Sequence, residues 1–166
     1  HIKTFKVKPD GTSIVEIGDL VHDTYYSVEN QVSMIRVDHD TYAIAYYGYN
    51  QPTDNSWGGY IKTFTVNGGT ITEVAKLKHH TITVYHDSFI KVDGNTFALA
   101  WSDASYDGHI TTFTISNDGA TITEVASLEH DTDYSLYPSF EQLDSDTYVL
   151  AYSGTGSDGH IKTFTI

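Results

Sequence analysis

A repeated phrase organises this chain more strongly than any other feature. Residues 1–5 read His-Ile-Lys-Thr-Phe and recur without change at 160–164, and related phrases occupy 60–64 and 109–113. The four isoleucines of these phrases are separated by 59, 49 and 51 residues. A chain with such a period builds one supersecondary unit several times and buries its apolar faces between neighbouring units.

Other phrases recur in step with the first. They occupy 72–75 and 123–126, then 22–24, 79–81 and 130–132, and finally 38–42, 93–97 and 144–148. Because all of them return in one fixed order, the repeat is not a chance similarity. The sequence therefore predicts one repeat domain over 1–166, divided at 1–24, 25–81, 82–132 and 133–166.

Each unit contains four strand signals, named a to d. Strand a covers 33–37, 88–92 and 139–143; strand b covers 42–47, 97–102 and 148–153; strand c is the Ile-Lys-Thr-Phe phrase; strand d covers 70–77 and 121–128. These runs are rich in Thr, Val, Ile, Tyr and Phe and are bounded by Gly, Asp and Asn, as strands are. Sustained helical periodicity is absent, so an all-β fold is predicted.

Strand b indicates how the units pack. In the first full unit the large residues Tyr42, Ile44 and Tyr46 alternate with Ala43 and Ala45, and the other units alternate in the same way. Alternation places the two sets on opposite faces of a sheet. Neither face is charged, so we expect both to be buried, the bulky face of one unit against the small face of the next.

The segment 143–152, leading through 157–160 into 161–164, resembles part of a β-propeller blade. Four strands per repeat of about 50 residues is the period of such blades. The resemblance covers the whole chain and is to highly repetitive bacterial or environmental propellers. The Trp-Asp ending of WD40 repeats, the kelch pattern and the Asp-box spacing are missing, so no site residues are carried over. A β-trefoil is the structural alternative.

The strand count predicts assembly. The chain begins with a strand c at 2–7 and a strand d at 14–20, continues through two full units and ends after a, b and c of a third, giving 13 strands. Propellers close with about four to eight blades. We therefore expect a head-to-tail homodimer, in which two chains form six blades and an unpaired edge is covered. A piece of a longer array is the alternative.

Charge and composition exclude several classes of partner. The chain has 22 Asp and Glu against 9 Lys and Arg, a formal net charge of -13. Such a chain repels nucleic acids and anionic membranes. Cysteine is absent from the sequence, which excludes disulfides and thiolate chemistry. Phosphate-loop, nucleophile-elbow and Rossmann motifs are also absent, so we expect a protein that is not an enzyme.

Two recurring features invite a metal interpretation. His22-Asp23 and His130-Asp131 resemble metal or acid–base pairs, but a feature present in every unit is typical of structure, and the middle unit has His80 where Asp is expected. The acidic b–c turns make calcium a possible cofactor. Its candidate ligands are Asp103, Asp107 and Asp158. Calcium needs about six to eight oxygens, and Asp-Gly is also an ordinary hairpin turn.

Differences between the units indicate a binding face. The b–c connection over 48–59 is six residues longer than its counterparts and is expected to be a loop. Aromatic rings beside amides and a carboxylate suit stacking on a sugar ring. The candidate ligand-binding residues are Tyr49, Asp54, Asn55 and Trp57 from this connection, and Tyr26, Tyr85, His86 and Tyr137 near the d–a connections, beside Tyr25 and Tyr134.

These features predict a binding or scaffold module with carbohydrate as the favoured ligand, located outside the cell or at its surface. A purely structural, self-assembling repeat unit is the first alternative. A glycoside-active enzyme with paired carboxylates is the second, because carboxylates are plentiful.

Overall fold

The fold consists of four antiparallel sheets. The computed structural model describes residues 1–23, 26–50 and 55–166, and the side chains at 26–31, 50, 86 and 87 lie outside that description. Thirteen strands occupy the described part of the chain, and within each sheet the strands pair in chain order. The predicted all-β class is confirmed, and so is the division of the strands into groups of two, four, four and three.

The bounds of the strands follow the repeat. Sheet 1 contains β1 (Ile2–Val7) and β2 (Ile14–Leu20); sheet 2 contains β3 (Tyr26–Arg36), β4 (Thr41–Asn50), β5 (Ser56–Asn67) and β6 (Thr70–His80); sheet 3 contains β7 (Tyr85–Asp93), β8 (Thr96–Ser102), β9 (Gly108–Ile115) and β10 (Ile122–Asp131); sheet 4 contains β11 (Leu136–Gln142), β12 (Thr147–Ser153) and β13 (Gly159–Thr165). A single 3-10 turn, Thr155–Ser157, lies between β12 and β13.

The strand c–strand d pairing is the same wherever it occurs. Ile61 lies opposite Leu77 in sheet 2, and Ile110 lies opposite Leu128 in sheet 3. Sheet 1 has the same pairing, β1 with β2, and its register shifts at the same place, directly after the Thr of the Ile-Lys-Thr-Phe phrase. Equal sequences with equal alternation specify equal registers, since a slip of one residue would turn every side chain to the wrong face.

Successive sheets pack large face against small face, as the alternation predicts. The first interface joins the alanines of β4 in sheet 2 to Phe97, Leu99 and Trp101 of sheet 3. The alanines of β8 in turn contact Tyr148 and Leu150 of sheet 4. Residues without a bulky side chain let two sheets approach closely, so the aromatic rings of one sheet fill the space left by the alanines of the other.

Hydrogen bonds between the sheets repeat along the stack. The backbone N–H of Phe89 donates to the Ser33 hydroxyl, and the N–H of Phe140 donates to the Ser88 hydroxyl, both over 3.1 Å. Each bond joins equivalent positions of neighbouring units. The repeated sequence therefore gives each pair of neighbouring sheets the same hydrogen bond.

The structure differs from the sequence-based expectation at two places. Strand b of sheet 2 continues to Asn50 and strand c starts at Ser56, so 48–50 and 56–59 of the predicted loop are paired strand, with Tyr49 opposite Trp57, and 51–54 lie outside the described residues. Aromatic residues directly opposite one another favour strand pairing. The small face of sheet 4, including Ala151, is exposed, because no sheet follows it among the described residues.

The buried and exposed copies of one phenylalanine provide a stability test. Phe113 is fully buried between sheets, whereas the equivalent Phe5 of β1 is 53% exposed. We expect Phe113→Ala to lower the free energy of unfolding by about 3–5 kcal/mol through loss of contacts and a residual cavity. Phe5→Ala, the matched control, is expected to cost less than about 1 kcal/mol. Urea unfolding measures both, and equal losses would contradict the packing described here.

Candidate functional site

Aromatic side chains gather at the end of sheet 2 where β4 leads toward β5. Trp57 of β5 stacks on Tyr47 of β4, with ring centroids 5.2 Å apart and an interplanar angle of 26°. Tyr49 packs on the same indole at 5.5 Å. Because Trp57 and Tyr49 are cross-strand neighbours in the extended hairpin, the pairing of β4 with β5 places these rings side by side.

A second aromatic group lies where sheets 3 and 4 meet. Tyr106, between β8 and β9, stacks on Tyr85 at 5.3 Å with an interplanar angle of 23°. Tyr134 also packs against Tyr106, with ring centroids 5.2 Å apart. The backbone N–H of Ser135 donates to the Tyr106 carbonyl over 2.9 Å, which fixes the turn against the connection leading into sheet 4.

The two groups form one row. The Tyr47 hydroxyl lies 3.2 Å from the hydroxyl of Thr83, two residues before Tyr85. Burial raises the pKa of Tyr85, and the nearby Tyr106 and Tyr47 raise it further, so Tyr85 lies near both of them. We call this set the aromatic row; in spatial order it comprises Tyr49, Trp57, Tyr47, Tyr85, Tyr106 and Tyr134.

The row is accessible to a ligand. Trp57 is 39% exposed and Tyr106 is 38% exposed, although both are packed against other rings. Rings that are held by neighbours but still reach water lose little conformational entropy when a ligand binds. The row is therefore suited to binding.

Backbone strain is concentrated at the same edge. The non-glycine residues with positive φ in the described part of the chain are Asn55, Tyr106, Tyr137 and Ser157. All four lie in b–c connections or beside a d–a connection. At Tyr106 (φ 72°), the Asp103 carboxylate holds the turn by accepting the N–H of Ser105 and of Asp107. Strain of this kind persists where the surroundings impose it, and it is common at binding sites.

The predicted binding residues are partly brought together. Trp57, Tyr49 and Tyr85 belong to the aromatic row, and Tyr134 completes it. Tyr137 is 68% exposed in β11. The other candidates cannot be placed in the row: Asn55 is exposed next to the hairpin, the side chains of Tyr26 and His86 are not among those described, and Tyr25 and Asp54 lie outside the described residues.

Sequence reasoning missed two members of the row. Tyr47 was assigned only to strand b, and Tyr106 only to an acidic turn. A signal for Tyr106 exists, because it precedes Gly108 by two residues as Trp57 precedes Gly59. In the third unit the equivalent position, two residues before Gly159, is Ser157, which has no aromatic ring.

The repeated histidines fit a structural role. His22 is buried edge-on against Tyr46, with ring centroids 5.0 Å apart. His130 makes the equivalent contact with Tyr152 at 5.2 Å. A Cβ at Gly108 would lie 2.6 Å from the His130 ring, so the glycine before strand c makes room for the imidazole. Each of these histidines fills the space between one sheet and the next.

Lysine side chains complete these histidine positions. Lys162 donates to the His130 carbonyl over 2.7 Å and lies 3.1 Å from the Asp131 carboxylate. The buried Lys62 likewise donates to the His22 carbonyl and pairs with Glu73 at 3.1 Å. Because each of these ammonium groups is already bonded to a carbonyl and paired with a carboxylate, both lysines have a structural role.

Burial disfavours protonation of the imidazoles. It lowers the pKa of His22 to about 4, and the positive charges of the N-terminus and Lys62 lower it further. Burial likewise lowers the pKa of His130 to about 4, assisted by the charge of Lys162. Both rings are therefore neutral near pH 7.

The acidic turns have the bonding of ordinary turns. The Asp103 carboxylate accepts two backbone N–H groups and lies 3.8 Å from His109 Nε2. Within the described residues, no group of three or more His, Asp or Glu side chains is arranged to hold a metal ion. A calcium role for Asp103, Asp107 and Asp158 stays a prediction.

Comparison with protein-family models and with curated protein sequences finds no match for this chain. Over the part of the chain that the structure describes, no helix has the length and apolarity required to cross a membrane.

The buried histidines predict sensitivity to acid. The pKa of His22 is about 4 in the fold and about 6.5 in an unfolded chain, so the unfolded chain binds more protons between these values. The free energy of unfolding should then be fully present above about pH 6.5 and fall as the pH decreases toward 4. Urea unfolding at pH 7.5, 6, 5 and 4.5 measures this slope.

His22→Gln is expected to reduce that slope, and His160→Gln, at an exposed position, is the control that should leave it unchanged. A wild-type stability that does not vary over this pH range would contradict the burial of neutral imidazoles.

Proposed function

We propose that this chain is a non-catalytic carbohydrate-binding module of the β-propeller type, and that its aromatic row binds a neutral glycan. The observation that carries the proposal is a pair of neighbouring aromatic groups: Trp57 packs on Tyr47 and Tyr49 of sheet 2, and Tyr106 packs on Tyr85 of sheet 3 and on Tyr134 of the connection into sheet 4. The hydroxyls of Tyr47 and Thr83 join the two groups. The row is therefore a surface that neighbouring units form together.

The chemistry of the row suits sugar rings. Tryptophan and tyrosine present a large apolar face together with a polar edge, and a pyranose likewise has an apolar C–H face surrounded by hydroxyls. Trp57 and Tyr106 offer accessible faces for stacking. The exposed Asn55 and Ser105 beside them supply hydrogen-bonding groups. A row several rings long fits an extended oligosaccharide better than a monosaccharide.

Charge favours a neutral glycan. The net charge of -13 repels sulfated or uronic acid-rich polymers. Asp103, the carboxylate near Tyr106, accepts two backbone N–H groups and is thereby committed to its turn. This bonding supports binding over glycoside hydrolysis, which requires a pair of carboxyl groups free to exchange protons.

The propeller arrangement is supported by the order of the sheets. Each four-stranded sheet is a meander whose strands pair in chain order, and each packs a large face on the small face of the sheet before it. Repeated four-stranded sheets of this kind form the blades of propellers. We place the module outside the cell or at its surface, where glycan polymers are accessible.

Loss of the rings is expected to reduce glycan binding. Retardation in native gels containing hydroxyethylcellulose, xylan or laminarin measures affinity for neutral polysaccharides. We expect retardation by at least one of them, and a reduction of affinity of about 5- to 30-fold in Trp57→Ala, because anchoring aromatics typically contribute more than 1 kcal/mol each.

Tyr106→Gly separates binding from folding. Glycine adopts φ 72° without strain, which offsets part of the packing lost with the ring, so this variant should stay folded while it removes a ring of the row. Phe5→Ala, which removes an exposed aromatic ring outside the row, is the control and should bind as the wild type does. The proposal is wrong if no neutral polysaccharide retards the protein, or if Trp57→Ala and Tyr106→Gly are retarded as strongly as the wild type.

A further inference from the structure

We propose that the interfaces between consecutive sheets are of two matched kinds, ionic and neutral, and that this match fixes the order in which the similar units dock. The ionic kind joins sheet 1 to sheet 2 and sheet 3 to sheet 4. The neutral kind joins sheet 2 to sheet 3. Stability and refolding test the proposal, so it stands apart from glycan binding.

Three positions on three different strands change together from one interface to the next. The preceding sheet contributes the residue after the repeated histidine, and the following sheet contributes the third large residue of strand b and the residue after the isoleucine of strand c. The ionic interfaces have Asp23, Tyr46 and Lys62, and Asp131, Tyr152 and Lys162. The neutral interface has His80, Trp101 and Thr111. Because all three positions differ at one interface and agree at the other two, they form a set.

At the ionic interfaces a carboxylate of one sheet meets the tyrosine of the next. The Asp131 carboxylate accepts the Tyr152 hydroxyl and lies 3.1 Å from the Lys162 ammonium. At the other ionic interface, burial raises the pKa of Tyr46 and the nearby Asp23 carboxylate raises it further, so the same two groups face each other there. An acidic residue at the end of one unit is thus matched by polar donors in the following unit.

At the neutral interface rings and hydroxyls take the place of the ion pair. The buried Trp101 contacts the rings of His80 and His109, with centroids 4.5 and 4.4 Å away. Its indole N–H donates to the Thr111 hydroxyl over 3.0 Å, so the larger ring reaches the position that lysine occupies at the ionic interfaces. Thr111 is buried and hydrogen-bonded to the Ser127 hydroxyl over 2.9 Å.

The alanine and serine contacts between sheets are alike at both kinds of interface. Alanines of strand b pack beneath large residues of the next sheet at the neutral interface and at the ionic interface between sheets 3 and 4. A serine hydroxyl accepts the N–H of the following phenylalanine at both. Contacts that are alike hold one unit beside another without regard to order, and chains of similar repeats are prone to dock wrongly.

A mismatched interface would leave a charge without its partner. If the end of sheet 3 docked on the neutral set, Asp131 would face an indole and a hydroxyl with no ammonium group beside it. If the end of sheet 2 docked on sheet 4, His80 would face the Lys162 ammonium, and the Tyr152 hydroxyl would lack its carboxylate. Unpaired charges removed from water are unfavourable. Penalties of this kind against wrong partners are a common source of selectivity.

Exchange of the neutral set for the ionic set tests the match. We expect His80→Asp, and separately the double variant Trp101→Tyr/Thr111→Lys, each to lower the midpoint of thermal unfolding by about 3–8 °C, because each creates a mismatched interface. The triple variant with all three substitutions carries a complete ionic set and should recover most of that loss. In the control triple variant, Thr112→Lys replaces Thr111→Lys. Residue 112 lies on the opposite face of β9, so this control should not recover. A Thr111→Lys triple variant no more stable than the control would overturn the match.

Refolding separates the selection of order from stability. The Thr111→Lys triple variant has three ionic interfaces, so its units can dock out of order. After dilution from urea, we expect a smaller fraction of it than of the wild type to return to the native elution volume on a size-exclusion column. Ile115→Val, which removes one buried methyl group and leaves every interface set intact, is the control for lowered stability and should refold as completely as the wild type. Equal recovery of the triple variant and the wild type would overturn the fixing of order.

Discussion

The close approach of alanine-rich faces to aromatic faces is the constraint on which the rest of this structure depends. Ala43 and Ala45 are fully buried beneath the large residues of the next sheet, and Ala98 repeats the arrangement one unit later. Only small side chains permit this separation. Because the stacked sheets are held in step by equivalent serine hydroxyls, their edges meet, and the aromatic row forms along one of those edges.

The strands could be predicted from the sequence, whereas most contacts between side chains on different strands could not. Period-two alternation and the recurring phrases located every strand, because both are local or repeated signals. Residues 48–50 and 56–59 read as loop in the sequence but extend β4 and β5, because their order depends on the pairing of Tyr49 with Trp57 across two strands. Tyr47 and Tyr106 escape prediction for a related reason: they join the row through rings on other strands, Trp57 for Tyr47 and Tyr85 and Tyr134 for Tyr106, which a local pattern does not encode.

The fit of Gly59 against His79 has a consequence for how such a chain changes length. A Cβ at Gly59 would lie 2.5 Å from the His79 ring, and that ring contacts Trp101 of the following sheet. A recombination breakpoint between strands c and d keeps this fit only where the incoming unit supplies an equivalent histidine, as His130 does for Gly108. Breakpoints between d and a keep the pair together, so insertion or loss of genetic material is tolerated best in whole units that end after the histidine.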